Sequence, residues 1–231
     1  MGFGTLCDSL LSLRQAYAEG KVEKLLDQLQ RDFQGSEADR QRLLHSHNRF
    51  GHSDEADAFA RSLAHDLAAV SRGIYNAQGI EWRTSLFTYY LFHDMGLRAG
   101  ATPDGRHART PFSRQMNMAS IPVLTKAALS MSQLSEADFN DVGIFDFTLP
   151  LEVSPSHEAL QAYTDFLCAC IELKVPVLQP NIVDVRTLTE ERLHKGTHPD
   201  LVVRVCGYSA LFGELSEAMQ DEIIHRMAAG L

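Results

Sequence analysis

The sequence predicts an α/β fold, and three observations carry that prediction. Apolar residues recur at helical spacing through the first third of the chain, from Leu6 to Phe33 and again from Ala56 to Val70. Short apolar runs at Val142–Val153, Val175–Val185 and Leu201–Val205 read as strands. Helical stretches separate those runs, and a strand followed by a crossover helix returns in the same direction, so parallel pairings are expected.

The elements follow in chain order. Leu6, Leu10, Leu13 and Tyr17, then Val22, Leu25, Leu26, Leu29 and Phe33, predict a helix or helix pair broken at Gly20. Ser53 before Asp54 predicts the cap of a helix reaching about Ser71, with Ala56, Phe59, Ala60, Leu63, Leu67 and Val70 on one stripe. Trp82–Phe92 is rich in aromatic and β-branched residues and predicts a strand. Gly96–Arg114 reads as a long loop, in which Ala101-Thr102-Pro103-Asp104-Gly105-Arg106 has turn chemistry. Long ordered loops in compact domains are usually functional, so this one is expected to line a site.

Val142–Val153 alternates around Ile144, Asp146, Thr148 and Pro150 and predicts a strand. It ends at Ser154-Pro155, a serine cap with proline at the first helical position. The helix that follows runs to about Lys174, with Leu160, Tyr163, Phe166, Leu167, Cys170 and Ile171 expected on its inner face. Val175–Val185 reads as a buried strand interrupted by Gln179 and Asn181. These two amides are candidate site-facing residues; the alternative is buried amides that satisfy nearby backbone. Thr187–Leu193 predicts a short helix broken by Gly196 and Pro199, Leu201–Val205 a further strand, and Ser216 the cap of a terminal helix. Glu217 and Asp221 then stand near that helix's positive end.

Composition narrows the function. A chain of 231 residues and 25.7 kDa exposes roughly 10,000 Å² when compact, against about 37,000 Å² extended. With 45% hydrophobic and 22% charged residues it reads as an ordinary globular protein. The net charge of −9 lacks the basic surface that releases counterions from a phosphate backbone, which argues against a nucleic-acid partner. Apolar stretches fall short of the ~18 residues of a spanning helix, and the N-terminus has no basic region before an apolar core. A cytoplasmic protein without membrane partners is expected. The four cysteines, Cys7, Cys168, Cys170 and Cys206, form neither a disulfide framework nor a CxxC pair. Cys168 and Cys170 read as small buried apolar residues. His45, His47 and His52 read as surface histidines, and no metal site is expected.

The informative segment is Asp200-Leu-Val-Val-Arg204-Val205-Cys206-Gly207-Tyr208-Ser209. A buried strand runs there into a glycine-centred turn, where the missing Cβ frees the backbone. Arg204-Val205-Cys206-Gly207-Tyr208-Ser209 resembles the radical signature of the glycyl radical enzymes, the pyruvate formate-lyase and glycerol dehydratase group. Ala101–Arg106 resembles the same family's loop motif. Arg49-Phe50-Gly51 followed by Asp54, and Leu178-Gln179-Pro180-Asn181-Ile182-Val183, resemble its other segments in the same order.

The resemblance implies that this chain is the C-terminal part of a ten-stranded β/α barrel, a half-barrel carrying the radical loop and a closing helix. Residues 1–95 would form a mainly helical region and 96–231 an α/β region with the glycine-radical domain. Gly207 would store the radical, with Arg204, Val205, Cys206, Tyr208 and Ser209 forming its loop. A separate activating enzyme with S-adenosylmethionine and an iron–sulfur cluster would remove one α-hydrogen, so the chain itself binds no cofactor. The radical is expected to be oxygen-sensitive. It would pass to a cysteine that, as a thiyl, attacks a small-molecule substrate in a lyase, dehydratase or formate acetyltransferase reaction. No cysteine here stands in the thiyl context, Cys206 replaces a small residue before the glycine, and Thr110–Ser120 departs from the family pattern.

The partners implied are therefore the activating enzyme and the remainder of a glycyl radical enzyme, or further copies of this chain. Two alternatives stand beside this reading: a spare-part protein docking onto a damaged enzyme, and an inactive truncated fragment. Anaerobic ribonucleotide reductases share the Arg-Val-Cys-Gly-Tyr string, but they are expected to carry a zinc CxxC pair that this chain lacks.

Overall fold

The computed structural model describes residues 2–86, 91–117, 124–135, 144–148, 156–175, 177–182, 184–205 and 208–229. Five helices come first: α1 (Phe3–Ala18), α2 (Val22–Gln30), α3 (Glu37–Leu44), α4 (Asp54–Ser71) and α5 (Leu91–Arg98). After α6 (Leu124–Ser135), β1 (Ile144–Thr148), α7 (His157–Glu172) and β2 (Val177–Asn181) form a βαβ unit. Its strands pair in parallel, with Asp146 opposite Gln179 and Thr148 opposite Asn181. The chain then runs through α8 (Val185–Leu193), β3 (Val202–Val205), β4 (Tyr208–Leu211), a single 3-10 turn and α9 (Glu217–Ala229). The expected alternation and parallel pairing are both present.

Two predicted caps are also found. The Ser53 hydroxyl accepts from the Ala56 amide at the start of α4, and the Ser216 hydroxyl accepts from the Met219 amide ahead of α9. Gly20 separates α1 from α2 with φ +66°, where a side chain would be strained.

Several expectations are corrected. Trp82–Leu86 forms no strand, and Leu91 and Phe92 open α5 instead, while residues 87–90 lie outside the described residues. Aromatic content was the misleading signal, because Phe92 is buried on a helix face rather than in a sheet. The cap of α7 is Ser156, whose hydroxyl accepts from the Ala159 amide; Ser154 and Pro155 lie outside the described residues. The strand expected to reach Val185 stops at Asn181, and Val185 begins α8 behind an Asp184 cap.

Faces differ too. In α1 the large buried apolar residues are Phe3, Cys7 and Leu11, whereas Leu6 and Tyr17 are exposed. In α4 the stripe continues through Ala64 and Ala68, leaving Val70 exposed. Alanine at every fourth position brings α6 close, and Ala127, Ala128 and Met131 pack there. On α7, Cys170 is buried, but Leu160, Cys168 and Ile171 are exposed.

The buried apolar residues fall into two clusters. The larger joins α1, α4, α6, α7 and the Phe145/Phe147 face of β1. Phe147 meets Phe166 edge-on at 5.3 Å, a favourable aromatic geometry. The smaller unites Leu188, Val203, Val205, Phe212 and Ile223 within the C-terminal unit. No helix among the described residues is long and apolar enough to cross a membrane.

Candidate active site

The signature residues stand on the β3–β4 hairpin. Its antiparallel register pairs Arg204 with Ser209 and Val205 with Tyr208, leaving two residues between the last pair. Those residues, Cys206 and Gly207, lie outside the described residues. Alternation sends Val203 and Val205 into the small core, where both are 2% exposed, and turns Arg204 outward. Arg204 Nη1 donates to the Ser209 hydroxyl at 3.1 Å, a cross-strand link beside the turn. Tyr208 is exposed. Behind the hairpin, the buried Gln220 amide of α9 donates to the Phe212 carbonyl at 2.7 Å.

Gln179 and Asn181 are brought together, and the contact they make was not anticipated. Both are buried on the face of the parallel sheet opposite its phenylalanines. Their amides donate to the Asp146 carboxylate, Gln179 at 2.9 Å to Oδ2 and Asn181 at 2.6 Å to Oδ1. Arg114 Nη1 donates to Asp146 Oδ2 as well. A carboxylate accepts through two oxygens with several lone pairs, so these donors match its capacity. The Arg114 guanidinium also lies over the Phe92 ring at 5.4 Å and 3.8 Å from Glu222 Oε1 of α9. The amides thus satisfy a buried carboxylate rather than backbone alone. Asp146 was legible as the acidic position in an alternating strand, but Arg114 was not.

The loop motif has a structural role. Gly105 takes φ +93°, inside a turn where its amide donates to the Thr102 carbonyl. The Asp104 carbonyl accepts from the fully buried Arg49 at 2.7 Å, which joins the loop to the Arg49-Phe50-Gly51 segment. Asp8 and Asp57 hold that segment through the Phe50 and Gly51 amides, each at 2.8 Å. Arg106 turns back onto its own loop, donating to the carbonyls of Gly100, His107 and Thr110 and lying 4.5 Å over Phe112.

None of the described cysteines sits on the hairpin. Cys7 is buried on α1, where desolvation and the neighbouring Asp8 push its thiol far up and keep it protonated. Cys168 and Cys170 lie on α7, and burial raises the Cys170 thiol.

Comparison with known proteins decides the family. A family model described as Pyruvate formate lyase-like matches residues 1–92, and one described as Glycine radical matches residues 116–213. The chain belongs to the glycyl radical enzyme family. Isethionate sulfite-lyase of Oleidesulfovibrio alaskensis is 28% identical over 98% of this chain and 28% of its own length. Trans-4-hydroxy-L-proline dehydratase of Clostridioides difficile is 25% identical over 98% of this chain and 29% of its own. Among solved structures, one determined in a study of 1,2-propanediol dehydration in Roseburia inulinivorans superimposes with a TM-score of 0.89 at 26% identity. It is matched over 98% of this chain and 30% of its own. The glycerol-bound B12-independent glycerol dehydratase of Clostridium butyricum gives 0.82 at 26% identity, over 97% and 29%. The chain therefore spans less than a third of the length of these relatives, and over that span it shares the mixed α/β fold of the solved structures.

Proposed function

We propose that this portion of a glycyl radical enzyme stores a backbone radical on Gly207 and works only with the remaining part of the enzyme. The observation that carries the reading is the β3–β4 register, which leaves Cys206 and Gly207 between Val205 and Tyr208 inside the matched Glycine radical segment. Glycine suits the chemistry: an α-carbon radical is delocalised between amide nitrogen and carbonyl when the centre is planar, and a side chain opposes that planarity.

The radical arises when a separate activating enzyme, using S-adenosylmethionine and an electron from its iron–sulfur cluster, removes one hydrogen atom from Gly207. Turnover then needs a cysteine beyond those on α1 and α7, supplied by the rest of the enzyme. The substrate class is a small molecule open to lyase, dehydratase or acyl-transfer chemistry. The parallel β1–β2 pair with α7 fits the second half of a ten-stranded β/α barrel. A spare part needs little more than the loop and closing helix, whereas the larger core here lies wholly upstream of them.

The test is anaerobic activation of the purified chain with a family activating enzyme, reductant and S-adenosylmethionine. Electron paramagnetic resonance should show a doublet from the one remaining α-hydrogen, absent in Gly207→Ala. Admitting air should add dioxygen to the α-carbon radical and sever the chain there, shortening it by about 24 residues as read by mass spectrometry. An activated chain that stays intact in air and gives no doublet overturns the reading.

A further inference from the structure

The C-terminal unit that carries the hairpin has a core of its own, built from Leu188, Val203, Val205, Phe212 and Ile223. None of these residues belongs to the larger apolar cluster. A polar connection through Arg114 links the unit to the rest of the molecule. Arg114 reaches Asp146 of β1 with Nη1 and stands 3.8 Å from Glu222 of α9 through Nη2. The side chains of Arg114, Asp146 and Glu222 are 9%, 4% and 12% exposed, so water screens these charges little.

Arg114 is itself held in place. Next to it, the Ser113 hydroxyl accepts from the Thr5 amide at 2.5 Å, and the Ser113 amide donates to the Thr5 hydroxyl at 2.9 Å. The Phe112 amide donates to the Phe92 carbonyl at 3.3 Å. The loop is thereby fixed to α1 and α5, and the guanidinium extends across the polar face of the sheet toward α9. Nη1 bonds Asp146 while Nη2 makes a charge contact with Glu222 and no hydrogen bond, a division between two carboxylates that a planar guanidinium spans and a single ammonium does poorly.

We infer that Arg114 is a positioning residue that holds the β3–β4 hairpin unit against the parallel sheet by joining Asp146 to Glu222. Its bearing on catalysis rests on the reading of Gly207 as the radical carrier; the docking itself does not.

The experiment is amide hydrogen exchange on the 231-residue chain and on Arg114→Lys, Glu222→Gln and the double variant. Arg114→Lys keeps a cation beside Asp146, and Glu222→Gln keeps the size of the side chain, so both leave the larger core intact. Each single change should speed exchange of the Val202–Val205 and Tyr208–Leu211 amides about fivefold, on the scale of one weak ion pair, with α4 and α6 unchanged. The double variant should go no further than the singles, since both remove the same link. Unchanged hairpin exchange, additive effects, or equal loosening of α4 and α6 would each overturn the inference. Electron paramagnetic resonance on the activated unsubstituted chain separates the two readings. Hairpin loosening without a Gly207 doublet leaves the positioning role standing and removes the radical, and a doublet with unchanged exchange does the reverse.

Discussion

Arg49 Nη2 lies 2.7 Å from Asp8 Oδ2 with both side chains buried, an ion pair without the alignment of a hydrogen bond. Burial pushes the Asp8 carboxyl up to about 6 from 3.8, outweighing the pull of Arg49 and the Phe50 amide in the other direction. Native Asp8 therefore keeps a proton that the unfolded chain has already released. The contribution of this group to stability falls as pH rises from 3.8 to about 6, by on the order of 2–3 kcal/mol. Urea unfolding of the chain and of Asp8→Asn across that range should show the slope in the first and lose it in the second. Equal slopes would refute the assignment.

Gly96 is required by close approach. A Cβ there would stand 2.4 Å from the Thr110 carbonyl oxygen and 2.7 Å from the Pro111 Cα, both backbone atoms that cannot swing aside. Gly96→Ala should push α5 from the loop and cost roughly 1–3 kcal/mol, as overpacking does. Thermal unfolding measures it, and a melting point within a degree or so of the parent would contradict the packing described.

Glu191 of α8 organises the turn before β3. Its carboxylate accepts from the Gly196 amide at 2.8 Å and the His198 amide at 2.5 Å, and those amides hold it below the usual carboxylate range. A depressed carboxyl stabilises the fold above its unfolded value and loses that contribution as pH falls through the folded one. Glu191→Gln should speed amide exchange at Gly196 and His198 several-fold near neutral pH and make that exchange less sensitive to acid. No change at either amide would show that the turn holds itself.

An exposed apolar arm follows α4. Tyr75 bridges Glu81, which brings Ile74 beside Trp82, and Ile74, Tyr75, Ile80 and Trp82 are all exposed. Monomeric surfaces seldom carry such a group of large apolar residues. The isolated chain should self-associate or bind a hydrophobic dye, and Ile80→Lys with Trp82→Ser should reduce both. Size-exclusion chromatography decides; a monomer that binds no dye would refute the expectation.

Strand β3 was legible because its evidence is local, a short apolar run closed by a glycine and a tyrosine within ten residues, whereas its partner β4 was not expected as a strand. The α4 and α9 caps were legible for the same reason, since a serine and the amide three residues on belong to one turn. Trp82–Phe92 misled because aromatic content describes burial, and burial on a helix such as α5 looks the same over a few residues. Gln179 and Asn181 were recognised as unusual in a buried strand, but their partner Asp146 is over thirty residues away.

The sequence by itself did not determine α3, α5, α6 or β4, but it did determine helices α1, α2, α4 and α9, the alternation from β1 to β3, the family, and the glycine on which the proposed radical rests. These depend on residue type and spacing over one or two turns, where backbone preferences and hydrophobic periodicity act directly. Only the tertiary structure decided that Arg49 is fully buried between Asp8 and Asp104, and that Arg114 joins a sheet carboxylate to the last helix. Long-range charge pairs leave no periodic trace: each needs only one residue of each sign, and packing alone determines which of many candidates meet in a space where water cannot screen them.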